Sequence, residues 1–127
     1  MDSAILVDKD IRDGRKLIEA LDRSKFGLSG ALWFYFSDAN DWLLLLVSPL
    51  VDTEGPTSCY RKIQSVIEGM PRDFGIPLSS ISVVSPTDSL IRLLRKAIHV
   101  EGTSRMRFRR NTINGVFIED ALIYRLR

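Results

Sequence analysis

The chain holds one imidazole, His99, and one thiol, Cys59. A thiolate nucleophile needs a base within hydrogen-bond reach. Helical spacing places Cys59 in one apolar stripe with Ile63, Val66, Ile67 and Met70. His99 falls on the polar side of a different predicted helix, so no Cys–His dyad is expected. Metal-ligand spacings such as HxxxH or CxxC are absent, as are the glycine-rich loops that cradle phosphates. Glu119 and Asp120 are neighbours on a predicted strand and so point to opposite faces, which rules them out as a carboxylate pair. Asp38 and Asp41 flank Ala39 and Asn40 and read as turn-forming acids. The sequence therefore predicts no catalytic residue, no cofactor and no metal ion, and an enzyme is the less favoured reading.

The remaining chemistry is cationic. Arg105, Arg107 and Arg109 recur at i,i+2, so a strand would set them on one face about 6.5–7 Å apart. Met106 and Phe108 would fill the other face. Guanidinium forks at that spacing suit successive phosphates. Arg110 follows directly, and Arg95 and Lys96 would extend the patch if their helix lies beside the strand. Trp33 and Tyr35 would offer stacking surface for single-stranded bases. Charge is unevenly distributed: residues 92–127 carry nine Lys or Arg against three acids, a balance of +6, while residues 1–91 balance at −4. A basic face for a nucleic acid is one consequence. The plainer one is that strand-borne arginines keep a sheet edge soluble.

The elements that must position these residues follow from periodicity. Residues 8–25 read as an amphipathic helix with Ile11, Gly14, Leu17, Ile18 and Leu21 inward, Asp8 or Asp10 at its start and Gly27 after its end. Gly14 is either a tolerated helix glycine or a point of close approach; the former is slightly favoured. Residues 28–37 and 42–48 read as a hairpin, and its first strand is apolar on both faces. Such a hairpin is covered on both sides or used at an interface, with Trp33, Tyr35 and Trp42 as the interface candidates. Residues 50–55 read as a loop, and Pro56 opens a second helix ending near Glu68. Residues 70–80, with Pro71, Gly75 and Pro77, read as an irregular connection and the most mobile segment. Residues 81–84 form a short strand. Ser85, with Pro86 and Asp88, reads as the N-cap of a third helix that buries Leu90, Ile91, Leu94, Ala97 and Ile98 and stops at Gly102.

Asn114–Gly115 is a type I′ turn signal, because both residues tolerate positive φ. It closes a hairpin over residues 105–124. Its register sets Ile113 opposite Val116, Arg109 opposite Asp120, Arg110 opposite Glu119 and Phe108 opposite Ala121. Arg105 and Arg107 are then left without a charged partner across the strand. The predicted order is α-β-β-α-β-α-β-β. The fold class is α+β, with a mostly antiparallel five-stranded sheet and the helices packed on it.

At 127 residues with 45% hydrophobic and 27% charged side chains, the chain reads as one globular domain, residues 1–127. A lone cysteine allows no internal disulfide, and the first residues have an acid where a secretory signal would be positive. Cytoplasmic localisation with no membrane association is expected. Residues 12–22 (RDGRKLIEALD), 31–56, 81–86 (ISVVSP) and 110–125 (RNTINGVFIEDALIYR) together resemble small uncharacterised bacterial proteins of the kind found on mobile gene cassettes. That resemblance implies a bacterial cytosolic protein, an accessory one, and carries no catalytic motif. The functional expectation is a non-catalytic interaction module, a homodimer or an adaptor for a protein partner. Nucleic-acid binding through the arginine-rich hairpin is the alternative.

Overall fold

The computed structural model describes residues 5–101 and 104–127. In chain order the elements are α1 (Asp8–Arg23), β1 (Gly30–Phe36), β2 (Asp41–Val47), α2 (Leu50–Glu54), α3 (Pro56–Glu68), β3 (Ile81–Val84), α4 (Ser89–Ala97), β4 (Met106–Ile113) and β5 (Val116–Leu126). A single 3₁₀ turn, Leu78–Ser80, precedes β3. The class is α+β. The five strands form one open sheet in the order β3-β2-β1-β5-β4. Three of its pairings are antiparallel, but β3 runs parallel to β2, so the sheet is mixed. A parallel neighbour requires a long crossover, and α2 and α3 supply it.

Both faces of the sheet are covered, which accounts for the doubly apolar β1. On one face Ala31, Trp33, Trp42, Leu44, Leu46, Leu122 and Tyr124 pack with Leu17, Ile18 and Leu21 of α1 and Cys59 and Ile63 of α3. On the other, Leu32, Phe34, Leu45, Val47, Ile118, Ala121 and Ile123 pack with Ile91 and Leu94 of α4. The layers therefore run α1/α3, sheet, α4.

Several expectations are corrected. Residues 50–54 form a helical turn rather than a loop, so two helices separate β2 from β3 and the element order changes. The first helix ends at Arg23, and Lys25 already has φ +59°. Ser85 caps no helix: its Oγ accepts from the Thr87 N–H and donates to Asp52, while Asp88 is the N-cap of α4, accepting from the Leu90 and Ile91 N–H groups. Ala97, expected inward, is exposed. The Gly102 stop lies outside the described residues. The 70–80 connection is tied down. Gly75 N–H donates to the buried Asp13 at 2.9 Å, Lys9 Nζ donates to the Asp73 carbonyl, and Ile76 is buried.

Two irregularities, one in β5 and one in the β4–β5 hairpin, orient the side chains there. The pairing with β1 shifts register between Ala31 and Leu32, which leaves Tyr124 as an extra residue. Such a bulge bends the strand and re-aims its side chains. Tyr124 and Arg125 consequently both reach α1. The Tyr124 hydroxyl donates to the Ile11 carbonyl at 2.7 Å and accepts from Trp33 Nε1 at 3.0 Å. Arg125 binds the Asp22 carboxylate through both terminal nitrogens, at 2.9 and 2.7 Å. That pairing holds the Asp22 carboxyl below the ordinary carboxylate range, chiefly through the hydrogen bond. Gly14 is the point where α1 admits the phenol: a Cβ there would lie 2.4 Å from the Tyr124 oxygen. The close-approach reading of this glycine is the one the packing supports.

The second irregularity lies between Arg109 and Asn111. Arg110 has φ +46° and falls out of the ladder with β5. Inward positions are Phe108 before it but Ile113 after it, and Ala121 and Ile123 but Val116 and Ile118 on the partner strand. Both strands change parity at the same level, so the register is preserved while the faces exchange.

Candidate functional site

The Asn114–Gly115 turn forms as the sequence predicts, with φ +49° and +80°. Ile113 faces Val116, Arg109 faces Asp120 and Phe108 faces Ala121. Asn114 Nδ2 also donates to the Leu93 carbonyl, docking the hairpin tip on α4. The expected Arg110–Glu119 ladder pair is missing, because Arg110 occupies the left-handed conformation at the parity change. No ion pair joins the two among the described residues.

Charge pairing on the hairpin differs from the straight-across expectation. Arg107 lies opposite Leu122, yet its guanidinium reaches diagonally to Asp120, with Nε–Oδ1 2.7 Å and Nη2–Oδ2 2.8 Å. The diagonal neighbour on a strand pair is within range of a long side chain. This fork raises the Arg107 pKa through its hydrogen bonds to Asp120. Arg107 is therefore the best-paired arginine of the set, not an unpartnered one. Arg109, directly across from Asp120, makes only a 3.7 Å contact and is largely exposed. Arg105 precedes β4 and is exposed, as is Arg110.

The patch does not extend to α4. Arg107 packs over the Trp42 ring at 5.7 Å, on the α1 side of the sheet, whereas Phe108 points to the α4 side. Arg95 and Lys96 belong to α4 and so stand on the opposite side of the sheet from Arg107 and Arg109. Among the described residues, the α4 cations and the hairpin arginines therefore share no groove. Tyr35, Arg109, Arg110, Glu119 and Asp120 instead line an open cleft of about 400 Å³ in which acids alternate with bases. β4 is an edge strand, so its arginines and its kink at Arg110 also block edge-to-edge pairing.

The aromatic interface candidates divide. Trp33 is buried and bonded to Tyr124, and Trp42 is buried beneath Arg107. Tyr35 is half-buried, stacks on Trp42 at 5.5 Å and donates to Asn40. Trp33 and Trp42 are thus part of the core of this chain rather than a free surface. Cys59 is fully buried, and burial pushes its thiol pKa up, in keeping with a core residue. His99 is exposed beside Glu101.

Two further features mark the faces of the sheet. The α4 side of the sheet is thinly covered: Phe36, Leu43, Val84, Leu90, Phe108, Ile113 and Val116 ring its core while remaining half-exposed. Phe117 is 57% exposed at the hairpin. On the α1 side, a cavity of about 260 Å³ opens between Trp33, Trp42, Asp10, Asp41 and the 75–77 segment. Among the described residues no group of three or more His, Cys, Asp or Glu side chains could hold a metal ion. Within the same residues, no helix is long and apolar enough to cross a membrane.

Compared with known proteins, the chain matches no family model, no curated protein and no solved structure.

Proposed function

We propose that the protein is a non-catalytic interaction module that pairs with a second copy of itself through the α4 side of the sheet. The observation that carries this reading is the unequal cover of the two sheet faces. Four strand spacings of about 4.8 Å make the sheet roughly 19 Å wide. One nine-residue helix, about 13–14 Å long and about 10 Å across, lies over that face. Around it stand Phe36, Leu43 and Phe108, and Phe36, Ala39 and Leu43 line an open depression that Asp38 and Asp41 also border. Half-buried apolar side chains gathered beside one short helix mark a surface suited to association. The setting that goes with this reading is the bacterial cytoplasm and an accessory role of the kind encoded on mobile gene cassettes.

Sedimentation velocity across about 1–100 µM, the range of ordinary protein association, tests it. The parent is expected to shift from monomer to dimer, and Leu43→Lys to remain monomeric with an unchanged far-UV circular dichroism spectrum. A parent that stays monomeric throughout refutes the dimer. Salt-sensitive binding of single-stranded DNA or RNA, lost on replacing Arg105, Arg109 and Arg110 with alanine, would move the assignment to the nucleic-acid alternative.

A further inference from the structure

The edges of the sheet are a separate matter from the α4 face and do not depend on it. There are two, β3 and β4. The β3 edge is four residues long, and the Tyr60 hydroxyl already accepts from the Val83 N–H at 2.9 Å. The β4 edge is eight residues long and pairs only with β5. Among the described residues its backbone bonds no other segment. The outward N–H and C=O groups of such a strand are a template on which an extended chain can add.

The side chains say which chain. Arg107 and Arg109 lie on the α1 side, and Arg105 precedes them at the same spacing. Arg107 is committed to Asp120, but Arg109 touches that acid only at 3.7 Å and its side chain is 68% exposed. Arg105 has no ion-pair partner among the described residues. On the other face Met106 is 41% exposed and Phe108 is half-buried. A strand laid alongside therefore meets cations on one face and apolar groups on the other, at the period of two that its own side chains follow. No acid lies on β4 itself. Pairing with a second copy of β4 would set arginines against arginines, and like charges facing across a strand pair are destabilising. The arginines that block pairing between copies thus leave the edge open to a strand of opposite charge. Arg110, with φ +46°, ends the regular run and limits the added ladder to residues 105–109.

We infer that β4 is a docking edge for an extended acidic peptide in which Asp or Glu alternates with apolar residues. Its acids would meet Arg105 and Arg109, its apolar side chains Met106 and Phe108, and its backbone the outward groups of β4. A nucleic acid would engage the arginines but would use neither the apolar face nor the pattern of backbone donors and acceptors.

The probe is a fluorescein-labelled, end-blocked octapeptide of alternating Glu and Val, titrated with the full chain and read by anisotropy. It is expected to bind saturably, and Arg105→Ala with Arg109→Ala to weaken it by at least about tenfold with an unchanged circular dichroism spectrum. A peptide with four Glu followed by four Val, equal in charge and composition, should bind at least about tenfold more weakly, because it cannot present one acidic and one apolar face. Of two versions methylated on the Glu or on the Val backbone nitrogens, at least one should lose binding, because one set of N–H groups must face β4. No binding at about 1 mM chain overturns the proposal. So does equal binding of the block peptide, indifference to both methylations, or full binding by the alanine variant. If a thymidine oligonucleotide binds and the peptide does not, the arginines serve a nucleic acid and the peptide edge is refuted.

Discussion

Replacing Gly14 with alanine isolates the contact between α1 and β5. In an exposed helix the change would stabilise by about 1 kcal/mol. Here the new Cβ would sit 2.4 Å from the Tyr124 oxygen, 3.0 Å from its Cζ and 3.1 Å from Trp33 Nε1. The phenol cannot swing aside at small cost. It is fully buried, it donates to Ile11 and it is the acceptor for the Trp33 indole. Restoring ordinary contact requires a shift of about 1 Å, and overpacking of that kind costs about 1–3 kcal/mol. Breaking the Trp33 bond in the process strands a buried donor, which adds about 1–3 kcal/mol. Set against the helix gain, Gly14→Ala is expected to destabilise by about 3 kcal/mol. Tyr124→Phe removes the Trp33 acceptor and is expected to cost a similar amount. In the double variant the closest clash is gone, so the loss should fall short of the sum by about 1 kcal/mol or more. Urea unfolding of the four proteins, read as midpoints at constant slope, gives the cycle. A neutral or stabilising Gly14→Ala, or a double variant that is simply additive, would refute the reasoning.

Asp22 is held below its ordinary range by the Arg125 fork, and Asp13 is held low because the Lys9 and Gly75 hydrogen bonds outweigh its burial. Their stabilisation is complete above the unfolded value of about 3.9 and is lost as pH falls through the lower folded values. Urea midpoints should therefore drop below about pH 4, and less steeply in Asp22→Asn, whose side chain no longer titrates. Asp88→Ala should cost about 1 kcal/mol as a lost N-cap, and Ser85→Ala clearly less, both by urea unfolding. The Cys59 thiol should react with an aromatic disulfide reagent only at the rate of opening, so thiol titration in mild urea should track unfolding rather than reagent concentration.

The sequence makes some of this plain and hides the rest for identifiable reasons. The apolar stripe of α1, the doubly apolar β1 and the Asn114–Gly115 turn are local patterns, and each forms where periodicity or turn chemistry places it. The β2–β3 parallel pairing is not local, because a four-residue strand such as Ile81–Val84 looks alike as an edge strand running in either direction. The partner of Arg107 is invisible to pairing straight across the ladder, because its guanidinium reaches the diagonal. The exchange of faces on the hairpin does leave a trace in the sequence. The apolar positions 116, 118, 121 and 123 contain a step of three where a regular strand allows only two, which announces the parity change at Arg110. The cavity has no local signature. It is assembled from residues 5–10, 33, 41–42 and 75–80, brought together only by the fold.

The place of β5 in the sheet has a consequence for how the chain can be made. It lies between β1 and β4, yet it is the last strand in the sequence. As a ribosome extends the chain, the hairpin of β1 and β2 emerges early, apolar on both faces and with the β1 edge open. That edge stays unpaired until residues 116–126 are released, about eighty positions after β1 ends. An exposed apolar edge is the template on which chains aggregate. Any truncation or stalled product lacking β5 would carry that edge permanently, so shortened forms of this protein belong with the substrates of chaperones and proteases rather than with partly active variants.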